Sequence, residues 1–189
     1  MDSLQNRSGV IEFADTGPSR VQVRIRLISA YNESSKSEGE NERSHVSDLF
    51  YIREATDADW PACNALSAGA GMDSMPSMDG VTVAVSHADD AVVGFVRVAI
   101  GPENGIAHVE PIVVYPTWSG HGVGRALMEN ALAEYGEIRL VSRGSSTAFY
   151  ERLGYESVPW ELIDRTVTED CIGCSHWDEC KPVPMRKKA

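Results

Sequence analysis

From Phe50 onward the chain alternates between two rhythms, one of period two and one of three to four residues. Phe50 to Ala55 predicts a strand. Thr56 then reads as an N-cap, and Asp57 to about Ser67 as a helix with Asp57 and Asp59 in its first turn. Pro61 is compatible with that helix because it falls near the start. Ala68 to Gly80, rich in Gly and Met with Pro76 among them, predicts a loop able to close over a small ligand. Val81 to Val85 and Ala91 to Ile100 predict strands of a hairpin turning at His87 to Asp90. Gly101 to Gly105 is a second turn, so Ile106 to Tyr115 predicts a third strand against the second. Arg125 to Tyr135 predicts a helix stopped by Gly136, and Ile138 to Ser142 the next strand. A strand, crossover helix and strand of this length predict a right-handed parallel unit. Ser145 to Leu153 predicts a short helix closed by Gly154, and Tyr155 to Trp160 begins another strand. The order implies an α+β fold (mixed α/β) with a mixed central sheet.

Residues 1–47 predict an appendage. Val21, Val23, Ile25 and Leu27 alternate with polar residues as in a strand, but Asn32 to His45 is almost devoid of apolar residues and reads as a linker. Residues 48–165 are the expected main domain, and 166–189 a Cys-rich tail whose end, Lys181 to Lys188, reads as exposed and basic.

Composition and charge narrow the function. The chain has 189 residues and a formal charge of −11, and residues 50–170 alone carry 18 acids against 7 bases. A polyanion-binding surface is therefore disfavoured, and nucleic acid with it. Only 4 of the 17 basic residues are Lys. An acid-rich, Lys-poor surface suits a high-salt cytoplasm, which makes halophilic character an expectation. No apolar run approaches the roughly 18 residues of a membrane span, and the N-terminus lacks a basic-then-apolar signal. A cytoplasmic monomer or homodimer without membrane contact is expected. Three of the four Cys lie within ten residues, which favours a metal or redox cluster over a disulfide framework.

Candidate chemistry centres on Val113 to Met128. A β-branched run ends at Pro116, then Gly120, Gly122 and Gly124 alternate before a helix begins. Such glycines let backbone N–H groups converge, and the helix N-terminus adds unpaired donors and a positive dipole end. The result is an anion cradle, with phosphate the expected anion. It lacks the Gly-Lys-Ser/Thr ending of a nucleoside triphosphatase loop, and its spacing differs from a dinucleotide fingerprint. A merely tight strand-to-helix connection is the competing explanation.

The run Val114-x-Pro116-x-x-Ser119-Gly120-x-Gly122-x-Gly124-x-Ala126-Leu127 is followed, 25 residues after Gly124, by Phe149-Tyr150-Glu151-Arg152-Leu153-Gly154-Tyr155. Together these resemble the GNAT family of acyl-CoA-dependent N-acetyltransferases, over about Phe50 to Trp160. The resemblance implies the GNAT fold, a mixed sheet with splayed parallel strands flanked by helices, and acetyl-CoA as co-substrate. It places the coenzyme A pyrophosphate on the backbone of Gly120, His121, Gly122, Val123 and Gly124, with Arg125 close by. The first loop position, usually Arg or Gln in the family, is Ser119, a hydroxyl donor without charge. The backbone of Ile112, Val113 and Val114 would bond the pantetheine arm and the thioester carbonyl. Pro111, which lacks a ladder donor, fits a place where parallel strands separate. Arg143 stands where many relatives have Asn, and reaches either a CoA phosphate or solvent.

Acetyl transfer needs a neutral amine, while a Lys-like ammonium has a pKa of about 10.4, so a base must take its proton. Glu110 occupies the position where many relatives have a Glu facing the substrate; His108, two residues earlier, is the alternative base, and a solvated strand Glu the structural explanation. Tyr150 sits at the family's usual general-acid position, where a phenol can protonate the departing thiolate. The pocket is expected from the 68–80 loop, Glu110 and the sheet near Trp160. In the tail, Cys171, Cys174 and Cys180 could share a structural Zn, with His176 or Cys63 as fourth ligand; packing thiols or a redox role are the alternatives. The expected function is transfer of an acetyl group from acetyl-CoA to a primary amine of a small molecule or protein, by direct attack in a ternary complex. The competing class is a non-catalytic acyl-CoA-binding sensor or interaction module with a metal-binding tail.

Overall fold

The computed structural model describes residues 48–169 and 171–189. The strand expected at 21–27 and the polar linker after it lie outside these residues. Twelve elements follow: β1 (Phe50–Glu54), α1 (Trp60–Gly69), β2 (Val81–Ser86), β3 (Val92–Ile100), β4 (Ala107–Val114), α2 (Val123–Tyr135), β5 (Glu137–Ser142), α3 (Thr147–Arg152), β6 (Glu156–Ser157), α4 (Arg165–Thr168), α5 (Trp177–Cys180) and β7 (Val183–Lys188). The start of α1 shows why these boundaries form. The Asp59 carboxylate accepts the Thr56 N–H at 2.7 Å and two Arg53 guanidinium hydrogen bonds at 2.7 and 2.8 Å, so one side chain caps the 3₁₀ turn Asp57–Asp59 and ties it to β1.

The seven strands form one sheet in the order β1-β2-β3-β4-β5-β7-β6. All neighbours are antiparallel except β4 and β5, which are parallel across the α2 crossover. Alternate residues feed two cores, one on each face. Val83, Val85, Phe95 and Val113 pack with Cys63 and Leu66 of α1. Ala84, Val96, Val98 and Val109 pack with Leu127, Met128 and Ala131 of α2. Every residue of β2 is buried, as expected of a strand covered on both faces.

Two expectations are corrected at the C-terminal end. The strand expected over Tyr155 to Trp160 is only Glu156–Ser157, and Trp160 opens a 3₁₀ turn. Lys181 to Lys188, expected as an exposed basic end, contains β7, which lies between β5 and β6 with Met185 fully buried. Its charges are tethered: Lys187 Nζ donates to the Leu153 carbonyl at 2.6 Å, and Lys188 pairs with Glu137 at 3.3 Å. The basic side chains follow the buried Pro184 and Met185, and their charged heads find partners, Arg186 on Glu156, Lys187 on the Leu153 carbonyl and Lys188 on Glu137.

Candidate active site

The two parallel strands touch only at one end. β4 and β5 are in register at Ala107 with Ile138 and at His108 with Arg139, and the ladder stops there. Pro111 follows, with no N–H to offer. Ile112, Val113 and Val114 pair on the other side with Val96, Phe95 and Gly94, and no ladder pair joins them to β5 among the described residues. A cavity of about 570 Å³ occupies the divergence. Glu110, Pro111 and Ile112 line it from β4, Ser142 and Arg143 from the end of β5, Tyr150 from α3, and Met72 to Pro76 from the loop before β2.

A register shift aims Glu110. Between the pairs Val96–Ile112 and Val98–Val109, β3 contributes one residue, Arg97, and β4 contributes two, Glu110 and Pro111. This bulge breaks the strict alternation and turns Glu110 toward the cavity opposite Arg97. Arg97 Nη1 lies 3.7 Å from Glu110 Oε2 and donates to the Glu110 carbonyl at 3.5 Å.

Tyr150 is 7% exposed, and burial pushes its phenol up to about 12. Its hydroxyl makes no hydrogen bond to the described residues, and its ring packs edge-on against Phe149 and Tyr155, with centroids 5.0 and 5.8 Å away. A protonated phenol held by packing alone, beside a cavity, can direct its O–H to a ligand.

The glycine segment forms the entry to α2. Gly120 and Gly122 have φ of 84° and 82°, values that L side chains rarely adopt, and Gly122 is the helix N-cap. The Ala126 N–H returns to the Gly122 carbonyl, and the N–H groups of Gly122, Val123, Gly124 and Arg125 have no acceptor among the described residues. Four donors are therefore left without an acceptor among the described residues at the N-terminus of a 13-residue helix. Gly124 has a second reason to lack a side chain: a Cβ there would sit 3.2 Å from the Phe149 ring. The two segments that stand 25 residues apart in sequence are thus in contact. The His121 N–H turns back to the Trp118 carbonyl at 3.3 Å. Ser119 and Arg125 are exposed, and Arg125 pairs with Glu129 at 3.4 Å. None of residues 119–125 lines the cavity, whereas Arg143 does.

With this geometry in hand, residues 79–157 match the model of the acetyltransferase (GNAT) domain. That match covers 79 of the chain's 189 residues. Solved structures share its fold. N-acetylglutamate synthase from Neisseria gonorrhoeae, complexed with coenzyme A and N-acetyl-glutamate, aligns with a TM-score of 0.60 at 16% identity over 74% of this chain. The alignment spans about a third of that enzyme, 35%. A Mycobacterium tuberculosis protein in complex with CoA aligns with a TM-score of 0.58 at 17% identity, over 74% of this chain and 99% of that one. Nourseothricin acetyltransferase aligns at 0.52 and 22% identity, over 74% and 98%. Comparison with curated proteins found no match.

Within the matched segment, His108 is not placed to act as a base. It is fully buried, its Nδ1 lies 2.8 Å from the Ile106 carbonyl, and its Nε2 accepts the Asp164 N–H at 3.2 Å. Burial moves its pKa below the ordinary imidazole value, so the neutral ring serves as a bridge between β4 and the segment before α4. Among the described residues no group of three or more His, Cys, Asp or Glu side chains could hold a metal, so the Zn expected on Cys171, Cys174 and Cys180 has no support. Neither proposed fourth ligand changes this: Cys63 is fully buried in the α1 core with its thiol pushed up to about 11, and the His176 ring is next to Ser175 Oγ at 3.2 Å. Instead the tail walls the cavity, with Cys171, Cys180 and Pro182 in its lining. Trp160 lies elsewhere, in a groove with Trp177. Sequence reasoning missed Arg97, although a single charge inside the apolar run Val92–Ile100 was the available signal. No helix among the described residues is long and apolar enough to cross a membrane.

Proposed function

We propose that this domain transfers the acetyl group of acetyl-CoA to a primary amine by direct attack in a ternary complex. The observation that carries this reading is the divergence of β4 and β5, where Glu110 and Tyr150 line one cavity beside a stretch of β4 that no longer pairs with β5; the N-terminus of α2 adds four N–H groups without an acceptor among the described residues. The N–H groups of Gly122, Val123, Gly124 and Arg125 receive the pyrophosphate, with Gly120 shaping the turn. His121 contributes its ring and Ser119 its hydroxyl at the rim, and Arg125 and Arg143 supply positive charge. The pantetheine arm lies along Ile112, Val113 and Val114 as an added strand would, its amides bonding the free edge of β4. A backbone N–H of that edge polarises the thioester carbonyl.

Glu110 takes the proton of the acceptor ammonium, directly or through one water, and the freed amine attacks the carbonyl carbon. As the tetrahedral intermediate collapses, the carbon–sulfur bond breaks and Tyr150 protonates the leaving thiolate. The Tyr150 site suits this role because burial keeps the phenol protonated throughout the neutral range.

The test is thiol release from acetyl-CoA with a panel of amines. Amine-dependent release with stoichiometric N-acetyl product supports the enzyme. Tight acetyl-CoA binding without release under any amine identifies an acyl-CoA-binding module and refutes the proposal.

A further inference from the structure

Arg97 is a guanidinium without adequate company. Its side chain is 14% exposed, it lies mid-strand among buried valines, and its Nε is buried with no partner among the described residues. Of its five N–H donors, the described structure engages one, in a 3.5 Å bond to the Glu110 carbonyl, with the Glu110 carboxylate at 3.7 Å. A charge removed from water and so loosely satisfied is costly unless a ligand completes its shell. Arg97 lines the 570 Å³ cavity beside Glu110, the proposed base, whereas Arg143 enters it from the end of β5 and none of residues 119–125 lines it; the anion at Arg97, on the side of the base, is therefore assigned to the acceptor and the one at Arg143 to the coenzyme.

The spacing narrows the acceptor further. The positive and negative groups stand 3.7 Å apart, across the β3–β4 bulge. A ligand that satisfies both must carry its own ammonium and carboxylate on neighbouring atoms. An α-amino acid does so: its carboxylate accepts from Arg97 in a planar, bidentate manner while its ammonium lies at Glu110. A polyamine or aminoglycoside would instead bring a second cation against Arg97, and a simple amine would leave the donors unfilled.

We propose that the acceptor is a free α-amino acid, its carboxylate held by Arg97 and its α-ammonium presented to Glu110. This rests on the acetyltransferase reading above. Arg97 is a binding residue for the acceptor and touches no part of the acetyl group.

The experiment pairs each common L-α-amino acid with its α-carboxamide. Two readouts are taken with the full chain: thiol release from acetyl-CoA, and calorimetric binding of the same compounds to the CoA-loaded protein. The preferred amino acid is expected to exceed its carboxamide by about tenfold to a hundredfold in kcat/KM and in affinity, the range of one charged hydrogen-bonding site. Arg97→Gln removes that ratio while CoA binding and the circular dichroism spectrum persist, and Arg97→Lys restores part of it. Equal use of acids and carboxamides, or a ratio that survives Arg97→Gln, overturns the proposal. If Arg97→Gln does not fold, the wild-type ratio alone decides. If no amine supports thiol release, the enzyme reading fails by itself; calorimetry then still supports the Arg97 site if amino acids bind and carboxamides do not, and refutes it if neither binds.

Discussion

Replacing Tyr150 by Phe removes one oxygen atom from a ring that packing alone holds in place. The hydroxyl has no hydrogen bond to the described residues, so its loss leaves no partner unsatisfied and the substitution should be nearly neutral for folding. Its chemical effect should be large. A positioned acid contributes on the order of 10² to 10⁴ in rate, which is about 2.7 to 5.5 kcal/mol of transition-state free energy. Because the loss falls on the transition state, kcat should drop by that factor while KM for acetyl-CoA changes only a few-fold. Burial pushes the phenol up to about 12, so the donor form is lost only as pH rises through that value. The wild-type rate should accordingly show no alkaline limb from this group between pH 7 and 10. Steady-state thiol release and a thermal melt on both proteins separate the possibilities. Unchanged kcat in Tyr150→Phe removes Tyr150 from the mechanism; a lowered melting temperature with turnover intact per folded molecule makes it a packing residue.

His108 predicts an acid-side stability slope. Burial lowers its folded pKa, so the unfolded chain binds the proton first; the contribution is complete above about pH 6.5 and is lost as pH falls through the folded value. His108→Gln should flatten that slope in denaturant titrations at pH 5 to 7 while acetyl transfer continues, and loss of turnover in folded His108→Gln would return it to the candidate bases. Met185→Ala should cost about 2 to 5 kcal/mol in urea unfolding, as for a buried core methionine, whereas a change within about 0.5 kcal/mol would mean that β7 is peripheral.

The stretch from Phe50 to Leu153 was readable because each element carries a local signal. Alternation marks β2 and β3, the turns at 87–90 and 101–105 impose their pairing, and Gly136 ends α2 where its φ of 72° requires a glycine. The glycine loop and the Tyr150 segment were legible as a pair, and the Gly124–Phe149 contact supplies a physical reason for that pairing. What stayed hidden depends on partners distant in sequence. Lys181 to Lys188 looks solvated because its basic residues mask two buried positions, Pro184 and Met185, and nothing local announces insertion between β5 and β6. His108 looked like a base because its strand position was visible, whereas the Asp164 N–H that occupies it comes from 56 residues away. Arg97 meets Glu110 only through a one-residue register shift, which no pattern in either strand displays. The Cys spacing suggested a shared ion, but the chain winds through successive turns from Cys171 to Cys174 to Trp177, and two of the thiols border the cavity.

The central claim is that the N-terminus of α2 seats the pyrophosphate of acetyl-CoA. Gly122→Glu tests it most directly, because a side chain at φ 82° strains the turn and a carboxylate there opposes the phosphates. Isothermal titration with acetyl-CoA should show binding to the wild type and a loss of at least about a hundredfold, or 2.7 kcal/mol, in a variant whose melt confirms folding. Undiminished binding by folded Gly122→Glu would contradict the account.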